Sequence, residues 1–112
     1  KYLGDAVRLV APAPLPLAEV MLQLTEEVEP LSDAPLRGGM AHGEVLVREG
    51  DYFGPAVILA ARLTDIARPW SVLASEDLHD ALDHDFDVRR ILPTRIRGVG
   101  LRRPLAVRRA DD

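Results

Sequence analysis

The sequence predicts an α+β fold, a sheet with helices packed on one face, and three observations lead there. Apolar residues recur at helical spacing through 17–28 and again through 57–66. Short apolar or alternating runs such as Ala6-Val7-Arg8-Leu9-Val10, Glu44-Val45-Leu46-Val47-Arg48 and Ser71-Val72-Leu73-Ala74 read as strands. These elements follow one another irregularly, which favours an α+β, antiparallel-rich sheet over a strict β-α alternation. With 112 residues and 47% apolar content, the chain supports one core and little more.

Taken in order, Tyr2-Leu3 ends a strand, Gly4-Asp5 turns tightly, and residues 6–10 form a second strand. A proline-rich link over 11–16 stops it. The helix over 17–28 carries its apolar stripe on Leu17, Val20, Met21, Leu24 and Val28, and its acids Glu26, Glu27 and Glu29 sit at the end where the helix dipole disfavours them. A loop over 30–35 leads to two short strands expected to join at His42-Gly43. Next comes a helix that starts at Pro55, where a fixed φ and a missing N–H cost nothing, and that stops before Pro69. A strand over 71–74, a short acidic helix over 75–82 opened by Ser75, and strands over 89–96 and 104–108 complete the chain.

Composition excludes several functions. The chain has no cysteine, so disulfides and thiolate metal sites are absent, in keeping with a reducing, cytoplasmic setting. No apolar run reaches the ~20 residues that a bilayer span requires, so this segment is expected to make no membrane contact. A net charge of −4 gives no support to nucleic-acid binding. The charge is uneven: Arg89, Arg90, Arg95, Arg97, Arg102, Arg103, Arg108 and Arg109 crowd the last quarter, and Glu76, Asp77, Asp80, Asp83, Asp85 and Asp87 precede them. That basic end suits a triphosphate, an RNA or an acidic partner, and equally a solvated strand face. Paired exposed aromatics, which stack bases in RNA-binding sheets, are missing.

Chemistry concentrates in three places. Lys1-Tyr2-Leu3-Gly4-Asp5 sets a lysine and an aspartate about a turn. Glu49-Gly50-Asp51 is an acidic turn before Gly54-Pro55. Ile58 and Arg62, four apart, share one face of the following helix. Each has a plain structural reading: Gly-Asp as an ordinary turn, Asp51 as a turn residue, Ile58 in a core with Arg62 reaching past it to water. His79, Asp83 and His84 read as the surface of a short acidic helix.

In their order and spacing these three segments resemble the class III adenylate/guanylate cyclase catalytic domain, of the soluble bacterial, actinobacterial type. The resemblance implies a ferredoxin-like cyclase fold, with residues 1–112 as the C-terminal two thirds of a single domain whose first strand, first two helices and most of the second strand lie upstream. A central strand would then be missing from the sheet. It implies that Lys1 and Asp51 read adenine, lysine donating to a ring nitrogen and aspartate accepting from the amine. It implies that Asp5 binds metal, as one ligand of two divalent ions (Mg or Mn) whose other aspartate is outside this sequence, and that Arg62 stabilises charge on the α-phosphate. Ile58 stands where the family has an asparagine that orients the ribose. Arg97 matches the first basic position of a phosphate-contacting strand segment, with Val99 at the second and Arg102 and Arg103 as alternatives. The implied activity is conversion of ATP to cyclic AMP and pyrophosphate, weakened by Ile58, in a homodimer or a heterodimer with another cyclase domain. The alternative is an inactive nucleotide-binding or dimerisation module.

Overall fold

The computed structural model describes residues 11–110 and Leu9, together with the backbone of Tyr2–Leu3 and Ala6–Val7. Lys1 and Asp5 lie outside the described residues. β1 (Tyr2–Leu3) and β2 (Ala6–Val7) pair as an antiparallel ribbon. The main sheet has four strands, β3 (Arg37–Met40), β6 (Ser71–Ala74), β10 (Leu105–Arg109) and β7 (Phe86–Arg90), in the spatial order β3-β6-β10-β7. β3 and β6 are parallel, and the other two pairings are antiparallel.

The period of two along the strands divides the core between the two faces of this sheet. Val72 and Ala74 of β6 and Leu105 and Val107 of β10 point to one side, where they meet Ala18 and Leu22 of α1 (Pro14–Val28) and Leu82 of α3 (His79–Leu82). Leu73 and Ala106 point to the other side, against Leu59 and Leu63 of α2 (Pro55–Ile66). The expectation of helices on one face is therefore corrected. The parallel β3–β6 pair needs a crossover, and α2 lies on the face that α1 leaves open.

β3 explains its own glycines. A Cβ on Gly38 would come within 2.7 Å of Met21 Cε on α1, and one on Gly39 within 2.3 Å of the Ala60 carbonyl oxygen of α2. The two helices thus approach β3 from opposite sides, and α2 does so backbone to backbone, a distance only glycine permits.

Several expected boundaries move. α1 begins at Pro14, because Pro14 and Pro16 fall in its first turn, where no N–H is needed; the expected link is three residues shorter at its C-terminal end. β4 (Leu46–Arg48) pairs with β5 (Asp51–Phe53) and not with β3. The turn between them has two residues, Glu49 and Gly50, at φ of 52° and 75°, the double left-handed geometry that suits a tight hairpin. The strand expected over 89–96 is cut near Pro93 into the end of β7 and β8 (Thr94–Ile96), and β8 turns back into β9 (Gly100–Arg102). The acidic helix is a 3₁₀ turn, Glu76–Leu78, running into α3, and Ser75 Oγ donates to the Asp77 carboxylate and accepts no capping hydrogen bond from the backbone.

The acidic end of α1 is held from outside the helix. The Arg109 guanidinium at the end of β10 reaches Glu26 through Nε and Nη2 and Glu19 through Nη1. Hydrogen bonding to Arg109 keeps the Glu26 carboxyl below its usual range, and the same contacts raise Arg109. No helix among the described residues is long and apolar enough to cross a membrane.

Candidate active site

α2 carries the central part of the site. Gly54, at φ 143°, precedes Pro55 and lets the chain leave β5 for the helix; a Cβ there would sit 2.7 Å from the Glu44 carbonyl oxygen. The Gly54 carbonyl accepts from the N–H groups of Val57 and Ile58 at 3.1 and 3.2 Å, which fixes the first turn.

Beside that turn a cleft of 470 Å³ separates α2 from the β8–β9 hairpin. Ile58 and Leu59 form its α2 wall, Gly98 and Val99 form the hairpin wall, and His42 and Arg102 contribute its polar side chains. It adjoins a more enclosed compartment of 290 Å³ floored by Leu59, Leu63 and Ile96 and rimmed by Ser75, Glu76 and Asp77, with His42 and Arg102 at the junction. Arg102 Nη1 donates to the Leu101 carbonyl at 3.0 Å and pairs with no carboxylate among the described residues.

Ile58 is 52% exposed, so the reading that put it in a core is corrected: the core side of α2 is the Leu59–Leu63 stripe, and Ile58 is turned about 100° from it toward the cleft. One turn on, Arg62 is half-buried. Its Nε is buried with no hydrogen-bond partner among the described residues, and its Nη1 stands 3.9 Å from Asp65 Oδ2, too long for a firm pair. A guanidinium with a buried, unused donor carries an unmet need for an acceptor, since leaving such a group unpaired costs roughly 1–3 kcal/mol.

Asp51 is the first residue of β5, immediately after the hairpin turn, and its Oδ1 accepts from the Tyr52 N–H at 2.8 Å. Arg97 is exposed in the β8–β9 turn, next to the Gly98 and Val99 that line the cleft. The structure thus brings Ile58 and the segment 98–102 to one cleft, with Arg62 one helical turn away. Arg102, expected only as an alternative to Val99 for phosphate contact, lines the cleft, whereas His42, expected only at a strand junction, is a cleft residue that the sequence does not single out, because a local pattern does not reveal which loop will meet α2.

A metal centre is not formed by what is described here. Among the described residues no three His, Asp or Glu side chains converge to hold an ion. His79 lies 3.2 Å from Asp80 Oδ1 and 3.9 Å from Asp83 Oδ1, as surface pairs.

No known protein-family model matches the chain. Curated proteins do. The chain is 45% identical over 83 residues to a protein named pH-sensitive adenylate cyclase from Mycobacterium tuberculosis, an alignment covering 73% of this chain and 21% of that protein. It is 37% identical over 105 residues to an adenylate cyclase of Glutamicibacter nicotianae, covering 89% of this chain and 26% of the relative. It therefore spans about a fifth to a quarter of the length of these relatives. Among solved structures, an adenylate/guanylate cyclase/hydrolase from Silicibacter pomeroyi superposes with a TM-score of 0.61 at 22% identity, over 84% of this chain and 57% of that one. An adenylyl cyclase from P. aeruginosa superposes at 0.57 with 19% identity, over 88% of this chain and 55% of its own. At such identities the superpositions establish the fold alone, whereas the relatives establish common descent. Together they identify the chain as a member of the class III adenylate/guanylate cyclase family, similar in sequence to actinobacterial adenylate cyclases.

Proposed function

We propose that residues 1–112 are the C-terminal two thirds of one cyclase domain that converts ATP to cyclic AMP and pyrophosphate in the cytoplasm, with turnover lowered by Ile58. The ribose 3′ oxygen attacks the α-phosphorus, the bond from that phosphorus to the bridging oxygen of pyrophosphate breaks, and the 3′ hydroxyl proton is lost. The observation that carries this reading is α2: Ile58 turned to the cleft and Arg62 one turn away with a buried, unpaired Nε. A phosphate oxygen is the acceptor this fork suits, and its permanent charge answers charge developing at the α-phosphate.

In this reading Lys1 and Asp51 select adenine, Arg97 and Arg102 contact the phosphates, and Asp5 holds one of two divalent ions, Mg or Mn, with the second aspartate outside this sequence. Two such ions would lower the pKa of the attacking hydroxyl and neutralise the leaving phosphates. The site is completed by a second cyclase domain, identical or different. The apolar side chains Leu46, Val47 and Phe53 exposed on the β4–β5 hairpin are compatible with such a partner.

The second reading, an inactive nucleotide-binding or dimerisation module, is favoured by Ile58 itself, which has no hydrogen bond to give. Cyclic AMP production by the full natural polypeptide separates the two. Product that disappears on Asp5→Ala supports the enzyme, and ATP binding without product supports the module.

A further inference from the structure

We infer that His42 orients the bound ligand in the cleft, acting as the directional hydrogen-bonding group that α2 does not provide; this rests on the cyclase reading of the site. The α2 wall offers no polar side chain. Ile58 and Leu59 are aliphatic, Pro55 has no N–H, and the N–H groups of Val57 and Ile58 are both taken by the Gly54 carbonyl. Across the cleft Gly98 and Val99 add no polar side chain. Two polar side chains remain among the described lining residues, His42 and Arg102.

Their chemistries divide the work. Arg102 spends one Nη1 contact on the Leu101 carbonyl and keeps the rest of its fork for an anion, so it suits a phosphate. His42 is exposed and forms no hydrogen bond to any described residue, and its ring carries both a donor and an acceptor when neutral, which suits a sugar hydroxyl. Its position is set by the backbone. A Cβ on Gly43 would lie 3.1 Å from Ala56 Cβ, and one on Gly54 2.7 Å from the Glu44 carbonyl oxygen, so the loop after β3 is packed against the first turn of α2. That packing places the His42 backbone at the same cleft as Ile58.

The test uses the full natural polypeptide with ATP and manganese, and compares His42→Ala, His42→Gln, Ile58→Asn and His42→Ala/Ile58→Asn. The inference expects His42→Ala to lower kcat by about 10²-fold with KM changed less than about threefold, as for loss of one positioned donor. His42→Gln, which keeps a donor and an acceptor, should retain activity within about tenfold. In the Ile58→Asn background, where the helix supplies its own amide, His42→Ala should cost less than about fivefold. A kcat unchanged by His42→Ala, or an equal loss in both backgrounds, would overturn the inference. Should no variant form cyclic AMP, the cyclase reading has failed and ATP affinity becomes the readout: weakening of about fivefold or more in His42→Ala supports His42 as the orienting group, and unchanged affinity refutes it.

Discussion

Ile58 and Arg62 stand one turn apart on α2, the first 52% exposed toward a cleft and the second with a buried Nε that meets no acceptor among the described residues. An isoleucine beside a half-buried, unsatisfied guanidinium is poor design for a core and intelligible for a ligand site, where the acceptor arrives with the substrate. Arg62→Ala is therefore expected to lower turnover by about 10²–10³. Arg62→Lys should recover little of this, because a point charge does not replace a planar fork. Steady-state kinetics, with circular dichroism to confirm an unchanged fold, tests both.

Gly39 makes a structural prediction on the other side of α2. Its absent Cβ would overlap the Ala60 carbonyl oxygen and the Thr64 N–H, both backbone atoms that cannot yield without moving the helix. Gly39→Ala should cost about 1–3 kcal/mol or more, read as a fall in Tm of the full polypeptide. Gly38→Ala should be milder, since the atom it meets is the flexible end of Met21.

The clamp of Arg109 on Glu19 and Glu26 predicts a pH dependence. Arg109 depresses the Glu26 carboxyl in the folded state, so the contribution is fully present above the ordinary glutamate pKa of about 4.3 and is lost as the pH falls through the lower folded value. The Tm difference between the natural protein and Glu26→Gln should therefore shrink as the pH is lowered from about 5 to about 3. Since all three side chains are substantially exposed, added salt should also reduce it. A difference that grows on acidification would contradict the assignment.

How much of this could be read from the sequence depended on whether the signal was local. The strand at Ser71–Ala74 is a short apolar run closed by Ser75, and α2 is bracketed by Gly54-Pro55 and Pro69, so both were legible. The turn at Glu49-Gly50 is legible, but its closing of a hairpin is not, because residues 51–53 are too short a run to show the alternation of a strand. Helical periodicity showed which stripe of α2 is apolar but not which face of the sheet would receive it; the close approach at Gly39 decides that, and it is a long-range contact. The same limit hid the meeting of His42, Ile58 and Arg102, which come from a loop, a helix and a hairpin. Ile58 was legible as a departure only because the resemblance supplied the expected residue. Lys1 and Asp5, which rested most on that resemblance, lie outside the described residues.

The central claim is that a cyclase scaffold is kept and that Ile58 limits its turnover. The most direct measurement is the rate of cyclic AMP formation from ATP and manganese by the full natural polypeptide beside its Ile58→Asn variant. The account predicts a rise in kcat of at least about tenfold in the variant, approaching ~10² where His42 does not already fill the role, with KM little changed. Equal rates would show that Ile58 is no defect, and absence of product from both would contradict the cyclase assignment itself.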